Sequence, residues 1–499
     1  MPLGRNVEGD RRLRALIRLR RRGARPVESL IMANVLTPQG EDFPRWYQDV
    51  IAKAQLAENG PARGSQVIRP SGFSLWERMT AEMDARIKDT GTENASFPLL
   101  IPESYFTREA DHVEGFAPEL WMVTHGGGKE LEEKLAIRPT SETVIGEYMA
   151  KWVNSYRDLP LLLNQWCNVM RYELRTRLFL RSSEFLWQEG HTVHESYEDA
   201  HAFTLRILHE VYADFMENVL ALPVLRGIKT EAERFAGALN TFAVESLMRD
   251  GKALQMGTSH ELGQNFAKAF DIQFQGKDGK QAHGWTTSWG TSTRMIGGLI
   301  MGHGDDAGLR VPPNLAPVQV CVMVVKDTDE VQTAARKVHD ELKGDGLRVK
   351  LDHRGDVAFG RRAVDAELKG YPVRIEIGPR DLKNGEATVV SRVAGTKETV
   401  PLGMLAEAVA AALQGAQDQL WNEALEFRES HTADAATVEE AVEAAQTGYA
   451  RLPWDACGVE GERRAAESSV TVRVLQREDG SVPDSLDEPG LIAYLARSY

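Results

Sequence analysis

A chain of 499 residues has room for about three domains. With 42% apolar and 26% charged residues it has the balance of a globular protein with large cores, and the absence of a run of about 18 apolar residues excludes a helical membrane span. The formal net charge of −14 excludes a basic coat over the whole surface, but not a local basic face for nucleic acid. Cys167, Cys321 and Cys457 lie far apart and form no CxxC pair. That argues against a disulfide framework and for a reducing cytosol.

Residues 1–31 hold nine arginines, no lysine and three acids. An Arg-rich leader of this kind is read as an organelle-targeting segment, an RNA-binding arm or an upstream extension that never folds. The last is the expectation here, with residues 1–31 disordered. An amphipathic helix is expected from Phe43. Ser74-Leu75-Trp76-Glu77 has the spacing of a capping box, followed by a helical stripe of Leu75, Met79, Met83 and Ile87. Asn94 to Ile101 is expected to be a strand that carries Pro98, hence an edge or bulge. A hairpin turning at Gly126-Gly127-Gly128 then leads into Arg138-Pro139-Thr140-Ser141-Glu142-Thr143. Thr140 or Ser141 is a natural N-cap for the helix that follows.

Residues 164–191 are the most informative stretch. Trp166 to Tyr172 is apolar and aromatic, and it places Arg171 and Glu173 two apart, on one face if the strand continues. A basic loop with Arg175, Arg177 and Arg181 follows. A second apolar run, Phe185 to Trp187, ends in Glu189 and His191. A guanidinium fork grips phosphate in two places, and a nearby carboxylate accepts from an amine or an adenine amino group. Such a set suits a site that joins ATP to an amino acid. A hairpin with cross-strand ion pairs is the plainer reading of Arg171 and Glu173 taken alone.

Residues 197–219 are expected to form an amphipathic helix. No metal-binding spacing accompanies its histidines. His260 alone reads as a core or capping histidine. His283 to Arg294 reads as a strand running into a helix from Met295, whose N-terminus favours anions. Pro312-Pro313 and Pro317 mark a boundary. Beyond it, strands at 318–325, 347–351, 373–377 and 388–393 alternate with helices at 328–343 and 358–369, a compact α/β unit. Residues 404–450 carry nine acids and one arginine, a poor surface for RNA.

The stretch Asn164-Gln165-Trp166-Cys167-Asn168-Val169, with Glu184-Phe185-Leu186-Trp187-Gln188-Glu189-Gly190-His191, resembles motif 2 of the class II aminoacyl-tRNA synthetases. In wording it resembles the prolyl-tRNA synthetases, of the archaeal/eukaryote-like type without an editing insertion; only 123 residues separate Arg171 from Arg294. The helix and Pro-bearing strand before it resemble motif 1, a dimer interface in that family. Gly290 to Arg294 resembles motif 3, with Gly290 close against substrate.

The resemblance implies an α+β catalytic domain on an antiparallel sheet (32–312). It also implies an α/β anticodon-binding domain (315–412), an acidic helical connection (413–447) and a small α/β C-terminal module (448–499). It implies ATP with Mg²⁺, proline and tRNA(Pro) as partners, a homodimer, a cytoplasmic location and no membrane contact. Arg171 and Arg294 would be catalytic. Glu173, Arg181, Gln255, Thr258 and Ser292 would join them on ATP. Phe116, Thr140, Glu142, Trp187, Glu189, His191 and His260 would join Arg171 on proline. Arg361, Arg362, Lys369, Arg374 and Arg380 are anticodon-binding candidates. Many relatives of this type hold zinc in the C-terminal module. Here Cys457 is its only cysteine, and no zinc is expected. The terminal Tyr499 is expected to pack its ring near the catalytic domain. Two other readings stay open: a class II enzyme for another amino acid, and an inactive relative that binds tRNA.

Overall fold

The computed structural model describes residues 25–26, 35–106 and 120–499. The leader (1–31, apart from the two-residue strand Arg25–Pro26) and Phe116 lie outside the described residues. The chain divides into two compact units. One joins the residues up to Ala54 with His303–Leu420; the other joins Gln55–Gly302 with Trp421–Tyr499. This partition differs from the expected one at three places. The helix Phe43–Lys53 belongs with the later α/β unit, because Trp46 is fully buried and its Nε1 donates to Asp305 O at 3.0 Å. The break at the centre falls at 302/303, ahead of Pro312. The acidic helix Leu405–Ser430 is itself divided at Leu420.

The larger unit is built on an eleven-stranded sheet. Across it run Thr432–Asp434, Tyr449–Pro453, Ile492–Ala496, Thr471–Gln476, Leu225–Ile228, Asn240–Leu247, Ala253–Gly263, Trp285–Ser292, Glu184–His194, Leu161–Met170 and Glu93–Asn94. Pairings from Leu225–Ile228 to Leu161–Met170 are antiparallel. The C-terminal module is therefore not a separate appendage: its strands extend the catalytic sheet. Ile228 pairs with Leu475, and Gln476 Nε2 donates to Arg226 O at 2.7 Å. Gly227 permits that approach, since a Cβ there would sit 2.5 Å from Leu475 O. Leu225, Ala243, Leu247, Tyr449, Val474 and Ala496 close a shared core over the junction.

Local chemistry explains where the elements begin. The helix expected to start at Ser74 runs Pro70–Asp89, with Arg69 at the N-cap. Proline at the first helical position has its φ preset and loses no helical bond. Ser74 lies inside the helix and donates to Ser71 O. The stripe Leu75, Met79, Met83 and Ile87 is buried as the spacing predicts. The strand expected over Asn94–Ile101 is two short pieces. Glu93–Asn94 joins the main sheet, while Leu100–Pro102 pairs with Leu135–Ile137 in a three-stranded sheet with Trp121–Gly126. Helix Tyr197–Arg206 continues as π-helix from Ile207, burying Phe203, Ile207, Leu208, Val211, Tyr212 and Phe215.

In the smaller unit, Val320–Val324 pairs in parallel with Val349–Asp352 and Val373–Ile377. Glu386–Ser391 and Thr396–Pro401 add antiparallel strands; the last is one that the sequence reading missed. Helices Asp329–Gly344 and Phe359–Leu368 lie close to the expected spans.

Candidate active site

The period of two along three neighbouring strands builds the cleft. Trp187, Glu189 and His191 alternate along one strand; Ser292, Gly290 and Ser288 are their register partners on the next. Gly290 and Ser288 in turn pair with Thr258 and His260. Directly opposed residues share a face, so all eight lie on one face and line a cleft of roughly 250 Å³ with Arg171, Thr140, Glu142, Gln255 and Arg294. A Cβ at Gly290 would stand 3.2 Å from Gln188 O, a tight approach, and in ordinary contact with the Trp187 ring.

Arg171 is not on a strand, as the two-residue spacing had suggested. The strand ends at Met170. Arg171 N still donates to Ser183 O at 2.8 Å, holding its residue at the sheet's end. Its Nε donates to Pro139 O at 3.1 Å, and its guanidinium stands 5.4 Å from the Trp187 ring and 5.7 Å from Phe185. Both contacts fix the plane of the fork. Glu173 turns away from the cleft lining. Its carboxylate accepts from Arg175 N at 2.7 Å and lies 3.9 Å from Arg181, so both sit in the basic loop. Arg294 opens the helix Arg294–His303. Its N–H donates to Ser292 Oγ and its Nε to Leu180 O. Burial, then Arg181, pulls its pKa down to about 10, so it stays charged at neutral pH.

At the other end, Ser141 takes the N-cap position of the helix Glu142–Trp152, but its side chain makes no capping hydrogen bond. Thr140 donates its hydroxyl to Glu142. Ser141 N and Oγ donate to Glu189 at 3.0 and 2.5 Å. Burial works to raise the Glu189 pKa, but the hydrogen bond and charge of His191, with Ser141 and Gln165, outweigh it and hold it at about 2. His191 Nε2 stands 3.0 Å from Glu189 Oε2. Burial lowers its pKa, and Glu189 with Glu142 more than reverses that, so the imidazole is held toward its charged form. His260 moves the other way, to about 3, through burial and then the charges of His191 and Arg171. It is a neutral ring packed 4.6 Å from Phe235, with Nδ1 3.0 Å from Thr241 Oγ1. The cleft thus has a cationic end at Arg171 and Arg294 and an anionic end at Glu142 and Glu189.

Sequence reasoning missed Ser288, Phe235, Thr241 and Glu233, all of which line the cleft. The register of Ser288 between His191 and His260 was the available signal. Among the described residues, no group of three or more His, Cys, Asp or Glu is arranged to hold a metal ion. No helix among them is long and apolar enough to cross a membrane.

Of the anticodon candidates, Arg362 is not a surface cation. It is buried, donating to Val357 O, Asp352 O and Val324 O. Arg374 is paired with Glu376 and Glu367, and Lys369 with Asp365. Arg361 and Arg380 are exposed.

Tyr499 reaches the catalytic unit. Its hydroxyl donates to Asp250 Oδ2 at 2.6 Å, and its ring lies 4.9 Å from Lys252 Nζ and 5.7 Å from the Arg177 guanidinium of the basic loop. Tyr499→Ala is expected to weaken ATP use several-fold by loosening that loop, with melting close to wild type. Unchanged exchange kinetics would leave the ring a passive contact.

The chain matches two families: the tRNA synthetase class II core domain (G, H, P, S and T) over residues 122–302 and the anticodon binding domain over residues 319–412. It is 62% identical to proline--tRNA ligase 2 of Streptomyces avermitilis, over 94% of this chain and 99% of that one. It is 61% identical to a proline--tRNA ligase of Frankia alni, over 93% and 100%. A crystal structure of the prolyl-tRNA synthetase of Cryptosporidium parvum complexed with halofuginone and AMPPNP superposes with a TM-score of 0.86 at 35% identity, covering 93% of this chain and 99% of that one.

Proposed function

Because the chain belongs to the prolyl-tRNA synthetases, class II enzymes that attach proline to tRNA(Pro) through prolyl-adenylate, we propose that Arg171 carries the adenylation step. The observation behind this is its place in the cleft lining, with its guanidinium plane fixed by Pro139 O and Trp187.

The proline carboxylate attacks the α-phosphate of ATP in line, and pyrophosphate leaves. Arg171 bridges carboxylate and α-phosphate and stabilises the charge that grows there. Arg294 and, from the loop, Arg181 hold the outer phosphates. Gln255, Thr258 and Ser292 face the nucleotide. Glu173 accepts from the adenine amino group once its loop turns inward. The secondary ammonium of proline meets Thr140, Glu142 and Glu189. Trp187, His191 and His260 wall the ring. The 3′-terminal adenosine of tRNA then attacks the mixed anhydride and releases AMP. ATP enters as its Mg²⁺ complex. Glu142 and Glu189 are already engaged by Thr140 and by Ser141, Gln165 and His191, so neither would hold the ion, whose charge would offset that of the phosphates.

Arg361 and Arg380 are the exposed cations offered to the anticodon. The subtype is the archaeal/eukaryote-like one, and the enzyme works in the cytoplasm. It works as a homodimer: Leu99, Leu100, Tyr148 and Trp152 expose apolar surface around Phe97, the region that resembles motif 1, and such patches mark interfaces.

The test is ATP–pyrophosphate exchange with each of the twenty amino acids. Proline should dominate, with slow leakage for alanine and cysteine, since an apolar pocket separates a methylene by only about 1–3 kcal/mol. Faster exchange with threonine or glycine would replace proline in this reading. Absence of exchange would point to the inactive relative.

A further inference from the structure

Glu189 is held from the neighbouring strand as well as from its own. Gln165 is its register partner, so both side chains lie on one face. Gln165 Nε2 donates to Glu189 Oε1 at 2.6 Å and to Ser141 Oγ at 2.9 Å. Its other end is also fixed: Oε1 accepts from Phe97 N at 3.0 Å. The two ends of an amide are chemically distinct. With the Phe97 N–H claiming the carbonyl, only the NH₂ end can face Glu189; a flipped amide would set its oxygen against the carboxylate and leave the Phe97 N–H against a donor. Phe97 is anchored in turn, because its O accepts from Arg138 Nη1 at 2.8 Å. Gln165 is buried and is not among the cleft-lining residues.

We infer that Gln165, which touches no substrate, sets the affinity for proline by fixing where the Glu189 carboxylate stands. The inference rests on the assignment of Glu189 to the substrate amine. Without the amide, Glu189 keeps Ser141 and His191 but loses the donor on the side away from the cleft. On that side a buried carboxylate so released keeps only the weak thiol donor Cys167 Sγ, already 3.4 Å from Oε1, and is free to shift away from the ammonium. Ammonium binding precedes the chemistry and persists through it, so the loss should fall on KM rather than kcat.

The test compares Gln165→Met, Ser141→Ala and Glu189→Gln in the full-length enzyme by proline- and ATP-dependent exchange. Removing one charged hydrogen bond predicts that Gln165→Met raises KM for proline about tenfold. KM for ATP and kcat should stay within about twofold. Ser141→Ala should move KM for proline in the same direction by less, and it carries the test if Gln165→Met does not fold. An unchanged KM for proline in a folded Gln165→Met enzyme, or a parallel rise in KM for ATP, would overturn the positioning role. Glu189→Gln separates the two layers. If it leaves KM for proline unchanged, the amine assignment itself fails. If it raises KM for proline while Gln165→Met does not, only the positioning role falls.

Discussion

Arg171→Ala is expected to slow proline activation about a thousandfold while the fold stays intact. One charged donor aimed at developing charge is worth about 3–4 kcal/mol. The geometry explains why the effect should be this large and local. The residue is only partly buried, so truncation opens no core cavity. Its guanidinium plane is set by Nε on Pro139 O and by the Trp187 and Phe185 rings. An enzyme that spends no energy orienting the fork at the moment of reaction loses the whole benefit with it. Arg171→Lys should rescue little, because an ammonium is a compact point charge with neither the planar fork that spans a carboxylate and a phosphate nor the flat face that stacks on Trp187. Single-turnover adenylate formation, measured beside thermal melting, decides the matter. Near-normal adenylate formation in Arg171→Ala would remove Arg171 from the reaction.

Most of the cleft could be read in advance because it is written in period two. Trp187, Glu189 and His191 share a face wherever their strand pairs, and the alternation after Trp285 does the same for Ser288, Gly290 and Ser292. Element ends were less legible. Arg171 and Glu173 have strand spacing, yet the strand stops at Met170, because Glu173 turns to accept from Arg175 N. Ser74 and Glu77 have the spacing of a cap, yet Pro70 opens the helix a turn earlier. Partnership was least legible. Nothing in the sequence of Thr471–Gln476 names Leu225–Ile228 as the strand beside it. Nor does a basic residue announce its burial: Arg362 and Arg361 are neighbours in sequence, one inside and one out. The same blindness hid the buried charges below.

Glu245→Gln is expected to destabilise the larger unit by about 3–5 kcal/mol, the cost of stripping one partner from a buried ionic group. Glu245 is 0% exposed, with Lys229 at 1% and Arg473 at 5%. Its Oε1 accepts from Lys229 Nζ at 2.7 Å and from Arg473 Nη2 at 2.9 Å. One carboxylate thus holds two cations, one of them from the C-terminal strand Thr471–Gln476. Removing its charge leaves two like charges in a dry site with nothing between them. Arg473→Met should cost less, since Lys229 and Glu245 remain a neutral pair. The ordering separates an electrostatic cause from mere loss of packing, because Arg473 is the larger side chain. A pH series adds a second check. Burial already lowers the Lys229 pKa, against the opposing pull of Glu245. A lysine whose folded pKa lies below its unfolded value binds fewer protons when folded, so stability rises with pH between the two values. In Glu245→Gln that depression deepens. The deficit of the variant should therefore shrink as pH is raised toward 10, when Lys229 can sit neutral beside the amide. Denaturant unfolding of the three proteins at several pH values reads both effects. A Glu245→Gln protein within about 1 kcal/mol of wild type, or one costing less than Arg473→Met, would mean that the buried charges are already relieved by some other means.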